Sequence, residues 1–416
     1  MTSDSGRFIA LSESLTQRRE FGLVEESVYE PEGWRLPGYP LFIALSRMIA
    51  GGSNWGIVVA QSALFLASVW MIYKVAGRIF GAWTGFCFLT LSLIYPFVAY
   101  NVGQISAEIP VVFFVSLAFY ALSEPTTARV AVAAASVALS AYFRPNLSLL
   151  NVALAVGLLW LDRRNYRKAL IMIAIAVVIA MPWAVRNYRV FGVFSPMPII
   201  KGSGTSLLLA TWQSRVSTRS LIEYGMTGNF TEETQRLGMA DQIRNLNREI
   251  GVPEDSVMVS PEHYIGNRTK LIADAVFTKA ALSNIKNFPG AYLKGCLTNA
   301  FRMWFSAFFP KRAPALVGFG LLALGVLVLI FGLCGAAISI RDTTRQKRPA
   351  LIFFLVIFLY FTSTLCWMHT EARYTIPARL ILVLFAARFI SWWVERKFTG
   401  SDFYRQSELQ EAALFL

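Results

Sequence analysis

Long apolar runs set the terms for this chain. Nine of them, at 54–76, 81–100, 104–123, 127–143, 146–161, 168–190, 313–340, 350–369 and 377–394, approach or exceed the roughly 20 residues that carry a helix across a hydrocarbon core about 30 Å thick. In such a core each backbone N–H and C=O must be bonded within the chain, so these runs are expected to be helices. Composition agrees, with 55% hydrophobic and 15% charged residues against about 25% charged in soluble domains. The expected class is an all-α polytopic membrane protein.

The loops between the runs orient the bundle. One alternating set holds Lys74 and Arg78; Arg129; Arg163, Arg164, Arg167 and Lys168; Arg341, Arg345, Lys347 and Arg348; and Arg396 with Lys397. The positive-inside rule places these in the cytoplasm. The opposite, outer face then receives residues 1–53, the 101–104 turn, the Arg144 turn, the long 191–312 segment and the 369–374 turn. The net charge of +14 therefore reflects cytoplasmic loops, and no nucleic-acid partner is expected. Four cysteines, three of them in apolar runs, and two histidines make no disulfide framework and no metal site.

Five regions follow. Residues 1–53 form an outer-face first loop, with an amphipathic interfacial helix over 6–20 presenting Phe8, Ile9, Leu11 and Leu15, and an apolar stretch at 41–50 too short to span. Residues 54–190 hold about six spans, 191–312 a small, mostly helical extracytoplasmic subdomain, 313–396 about three spans, and 397–416 a cytoplasmic tail. The tract at Tyr292, Phe301, Trp304, Phe305 and Phe308 reads as an aromatic interfacial return to the membrane.

Ionisable groups gather at the outer ends of the spans. Glu108 lies about one turn into an apolar run, where an acid is costly and usually faces a cavity or a partner. It is either a functional acid or a helix N-terminal acid held by the dipole. Arg144, Arg186, Arg189 and Arg373 run against the positive-inside rule; they bind an anionic headgroup or snorkel to the interface. Asp4 is a candidate general base or an N-cap of the first helix. Transfer of a sugar from a lipid-linked monophosphate suits this inventory, because the leaving phosphate needs cationic donors and no metal. The chain has no Asp-x-Asp of the kind that holds a metal for nucleotide donors. A carboxylate of low basicity serves as base when the transition state is oxocarbenium-like and proton transfer lags departure of the phosphate.

The chain also resembles a known family. Asp4-Ser5 with Phe8 and Ala10-Leu11, Arg35-Leu36-Pro37-Gly38-Tyr39-Pro40-Leu41-Phe42, Ser106-Ala107-Glu108, Phe143-Arg144-Pro145, Pro182-Trp183-Ala184-Val185-Arg186-Asn187-Tyr188 and Glu371-Ala372-Arg373-Tyr374-Thr375-Ile376-Pro377 occur in order. They are similar to segments of the bacterial membrane glycosyltransferases of the GT-C superfamily, related to dolichyl-phosphate-mannose protein mannosyltransferases. The resemblance implies a GT-C type helix bundle and an inverting transfer from a polyprenyl-phosphate sugar donor to a lipid, glycan or protein acceptor, by hydroxyl or amine. It implies Asp4 as catalytic base and Glu108 as a second acid. Arg35, Tyr39, Arg144, Arg186, Glu371, Arg373 and Tyr374 would bind the donor's phosphate or sugar. No cofactor is implied. The expected location is a bacterial cytoplasmic membrane, with the site facing outward. Two departures bear on this. The family's first transmembrane helix precedes the catalytic Asp, so such a helix is expected ahead of Met1. Ser5 stands where eukaryotic mannosyltransferases commonly have Glu, which weakens the case for a protein acceptor. The competing classes are a transporter or lipid flippase, which would show internal repeats and mid-membrane charges, and an inactive scaffold of an envelope complex.

Overall fold

The computed structural model describes residues 5–25, 27–216, 237–253, 264, 266–305, 315–341, 347–369 and 372–398. Asp4 and Glu371 lie outside these residues.

All nine apolar runs contain helix. Among the described residues, five helices are long and apolar enough to cross a membrane, at Trp55–Phe80, Arg163–Phe191, Val317–Arg341, Arg348–Leu365 and Arg373–Lys397. The 81–100 run departs from the expected single span, because Ala82–Ile94 and Pro96–Gly103 meet at a 55° bend. Pro96 explains the break. Its ring drives the preceding residue out of the helical region, and Tyr95 is extended, with φ −93° and ψ 90°. The runs from 104 to 161 give the shorter helices Glu108–Leu122, Thr127–Ala141 and Pro145–Leu161. A 15-residue helix is only about 22 Å long, less than the core of a typical bilayer.

The last long helix is the axis of the bundle. Ile381 to Ala387 are completely buried there, and Phe385 packs on Phe80 and Phe354. The long helix Val317–Arg341 approaches it through Gly332 and Gly335, where a Cβ would meet Leu382 and the Phe385 carbonyl. Small residues allow this backbone contact, as in other membrane helix pairs. Arg379 lies inside the same axis, fully buried, yet satisfied. It donates to Thr375 Oγ1 at 3.1 Å, Tyr95 Oη at 3.2 Å and Met303 O at 3.0 Å. The guanidinium thus ties the Tyr95 bend to the axis.

Among the described residues, two smaller cores lie outside the bundle. Helices Ser203–Gln213, Met239–Ile250 and Asn267–Asn287 enclose one, around Leu208, Trp212, Ile243 and Phe277. The other positions the site. Helix α1, Ser5–Gln17, buries Phe8 and Leu11, and α2, Gly38–Ile49, buries Tyr39 and Ile43. Phe8, Tyr39 and Ile43 pack with Ile57, Ile105 and Ala107. Each such buried side chain is worth about 1.5–3 kcal/mol, so this cluster holds the first loop against the 105–108 segment. A short antiparallel hairpin, Gly22–Glu25 with Val28–Pro31, joins α1 to α2. It is a small exception to the all-α expectation.

Candidate active site

The motif around Gly38 brings the first loop to the Arg144 turn. Gly38 N donates to Tyr142 O at 3.0 Å, and a Cβ at residue 38 would lie 2.6 Å from that oxygen, so only glycine fits the contact. Tyr39 then points inward, with its hydroxyl donating to Gln61 Oε1 at 3.0 Å. Gln61 in turn donates to Val102 O and Gln104 O at 2.7 and 2.9 Å. This fixes the turn leading into the helix that starts at Glu108. Arg35 stacks 4.0 Å over Trp34 and 5.4 Å over the ring of Phe8, a cation–π arrangement.

Glu108 and Arg144 form a buried ion pair through Oε1 and Nη2. Glu108 is 1% exposed. A lone carboxylate at that depth would carry a large desolvation cost, which the guanidinium offsets. Arg144 also lies 5.3 Å over the ring of Tyr374, and Arg373 lies 5.7 Å from the same ring, so two cations flank one tyrosine. Three buried polar atoms here, Ser106 Oγ, Glu108 Oε2 and Arg144 Nε, find no hydrogen-bond partner among the described residues. Buried polar groups are normally paired. A cluster of orphaned atoms at the mouth of a helix bundle marks a place where a polar ligand or a further side chain completes the set.

The first loop enters the same region. Ser5 is fully buried and its Oγ donates to Ile105 O at 3.0 Å. The residue that follows Asp4 in sequence is therefore bonded three positions before Glu108.

A chain of ion pairs holds that loop from the other side. Arg7 reaches Glu32 Oε2 from Nε at 3.0 Å and from Nη2 at 2.8 Å. Glu32 Oε1 accepts from the backbone of Trp34 and Arg35 at 2.7 and 2.9 Å, closing the turn before Gly38. Arg7 also meets Glu25 at 3.4 Å, and Lys270 Nζ donates to both Glu25 oxygens at 2.7 and 2.8 Å. Burial alone would raise the Glu25 carboxyl. Hydrogen bonds from Lys270 and from Gly266 N, with the charges of Lys270 and Arg7, outweigh it and hold the group below its ordinary value. A depressed carboxylate stabilises the fold above its unfolded pKa, and that contribution is lost as pH falls through the lowered folded value. Lys270→Met should cost about 3 kcal/mol, the lower end for a broken buried pair because Arg7 and Gly266 N remain. It should also shrink the loss of stability on acidification below about pH 4. Thermal unfolding in detergent from neutral pH to pH 3 checks both; a variant as stable as wild type would remove the pair from the account.

Arg186 belongs to this support. Its Nη1 donates to Glu32 O at 2.9 Å and to Asn187 Oδ1 at 3.0 Å, and its Nη2 to Phe21 O at 3.2 Å. Phe21, Trp183 and Phe191 surround it. Asn187 donates onward to Ser195 O and Met197 O at 2.8 and 3.0 Å. The structure thus brings Glu108, Arg144, Arg373 and Tyr374 together, with Tyr39 packed against Ala107 next to Glu108 and Arg35 farther out, over Phe8 and Trp34. It engages Arg186 with the carbonyls of the first loop. Sequence reasoning did not single out Glu32, Lys270 or Arg379. A charge inside the 377–394 run was a readable signal for Arg379. Nothing in the sequence pairs Lys270 with an acid 245 positions away.

Residues 31–185 match the sequence model of a family described as dolichyl-phosphate-mannose-protein mannosyltransferase. No curated protein sequence matches. Among solved structures, the oligosaccharyltransferase AglB from Archaeoglobus fulgidus, in complex with an inhibitory peptide and a dolichol-phosphate, aligns with TM-score 0.53 at 12% identity, over 98% of this chain and 47% of that one. The same organism's oligosaccharyltransferase tethered to an acceptor peptide aligns with TM-score 0.52 at 15% identity, over 96% and 46%. ArnT from Cupriavidus metallidurans bound to undecaprenyl phosphate aligns with TM-score 0.40 at 12% identity, over 94% and 73%. This chain spans about half the length of the archaeal enzyme. The fold is a GT-C type helix bundle, and of the motifs that carry the resemblance, 35–42, 106–108 and 143–145 fall within the matched 31–185, whereas 4–11 and 371–377 lie outside it.

Proposed function

We propose that this protein is an inverting glycosyltransferase that moves a sugar from a polyprenyl-phosphate donor to a hydroxyl or amine of a lipid, glycan or protein acceptor, at the outer face of a bacterial cytoplasmic membrane. The observation that carries the reading is the buried Glu108–Arg144 pair with its orphaned polar atoms, beside Tyr374 and Arg373 and beside the loop that begins at Ser5. The family match over 31–185 supports it, as does the fold shared with a protein captured with a dolichol-phosphate.

In the proposed reaction, Asp4 accepts the proton of the acceptor group as that atom attacks the anomeric carbon. The bond from the anomeric carbon to the phosphate oxygen breaks, the electron pair leaves with the lipid phosphate, and Arg144 and Arg373 stabilise the charge that develops there. Glu371 and Tyr374 serve in binding the donor's phosphate or sugar. Glu108 holds Arg144 in place and offers Oε2 to a sugar or acceptor hydroxyl. Arg35 and Tyr39 shape the first loop where it meets the donor, and Arg186 positions that loop through its carbonyls. Direct backside attack in one step inverts the anomeric carbon.

Donor choice tests the proposal. Purified protein in proteoliposomes should transfer sugar from a polyprenyl-phosphate sugar to an acceptor extract, and not from the matching nucleotide sugar. Transfer from the nucleotide sugar alone would overturn it.

A further inference from the structure

We infer that the cleft between α1 and α2 is a headgroup site for a zwitterionic phospholipid bearing a primary amine, of the phosphatidylethanolamine class. This inference is independent of the proposed catalysis. The cleft, with a volume of about 280 Å³, is lined by Ser12, Glu13, Thr16, Arg47, Met48 and Gly52 among others. Its two charges are placed side by side. Arg47 Nη1 bonds Glu13 Oε1 at 2.8 Å, while Arg47 Nε donates to Gly52 O at 3.1 Å. The turn between α2 and the Trp55–Phe80 helix thereby orients the guanidinium.

Nη2 of Arg47 and Oε2 of Glu13 make no hydrogen bond among the described residues. One is a cationic donor and the other an anionic acceptor, and both are partly exposed at the cleft. A phosphodiester matches the first and a primary ammonium matches the second. An anionic headgroup without an amine would face the Glu13 carboxylate uncompensated. A quaternary amine could not donate a hydrogen bond to it.

The adjoining surface suits acyl chains. α2 presents Leu41, Leu45, Met48 and Ile49 on its outward side at helical spacing, with Ile49 89% exposed, and Trp55 follows at 75%. An apolar stripe ending in a tryptophan is the pattern of a helix at a bilayer interface. A charged notch opening onto that stripe receives a headgroup while the chains lie along the helix.

Native mass spectrometry of the full chain released from mixed micelles tests this. Wild type should retain phosphatidylethanolamine at least about fivefold over phosphatidylglycerol and phosphatidylcholine. Arg47→Ala should lose that retention. Glu13→Gln, which keeps side-chain shape, should remove the preference and raise phosphatidylglycerol relative to phosphatidylethanolamine, a reversal that misfolding would not produce. Equal retention of the three lipids, or a preference unchanged in Glu13→Gln, would overturn the inference. Displacement of bound lipid by soluble phosphoethanolamine at matched concentration would also overturn it, since the site would then read the free headgroup and not the lipid.

Discussion

Asp4→Asn is expected to lower sugar transfer by about 10²–10⁴-fold, the range for removing a positioned general base, with little change in thermal stability. The substitution keeps size and hydrogen-bonding capacity and removes only the ability to take a proton. Asp4 lies outside the described residues, but the residues that follow it are firmly held. Ser5 Oγ is bonded to Ile105 O, Phe8 packs edge-on to Tyr39 with ring centroids 5.0 Å apart, and Arg7 is clamped by Glu32. Three tethers within the first four residues of α1 hold its start against the 105–108 segment and the first loop. If Asp4 were only a helix cap, Asp4→Asn would be nearly silent, because Asn caps about as well. Rates measured with saturating lipid donor separate the two roles.

Glu108→Leu is expected to cost both stability and activity. It leaves Arg144 charged and largely buried, and breaking such a pair from one side typically costs about 3–5 kcal/mol. A marked fall in the unfolding temperature in detergent is therefore expected, together with loss of transfer. The double variant Glu108→Leu/Arg144→Met removes both charges and fills the space with apolar side chains. It should recover most of the stability and none of the activity, because the proposed phosphate donor is gone. If the double variant regained transfer along with stability, the pair would be a scaffold element and Arg144 would leave the mechanism.

The bundle was legible because lipid imposes one rule on every span. Apolar length alone locates the helices, and motifs such as 35–42 and 143–145 mark loops that converge on the site. Interruptions were harder to read. Pro96 stands in plain view within the 81–100 run, yet hydropathy averaged across it hides the bend at Tyr95. The hairpin at 22–31 was hidden for a related reason, since two four-residue strands carry too little periodicity against a charged background. Charges were the least transparent. From sequence, Arg144 and Arg186 were equivalent outer-end arginines with the same choice between anion and interface. The fold separates them, giving Arg144 a buried carboxylate and an aromatic face, and Arg186 the carbonyls of Glu32 and Phe21. Partner identity depends on which segments meet, and that is set by packing over hundreds of residues.

The lipid product of a single incubation reports whether the bond to the polyprenyl phosphate is cleaved and whether Asp4 is needed for it. Wild-type protein in proteoliposomes, given a polyprenyl-phosphate sugar and acceptor extract, should release polyprenyl monophosphate in step with sugar transferred, as read by mass spectrometry, and Asp4→Asn should release almost none. Intact donor with no monophosphate in any acceptor fraction, or monophosphate released equally by wild type and Asp4→Asn, would contradict the account.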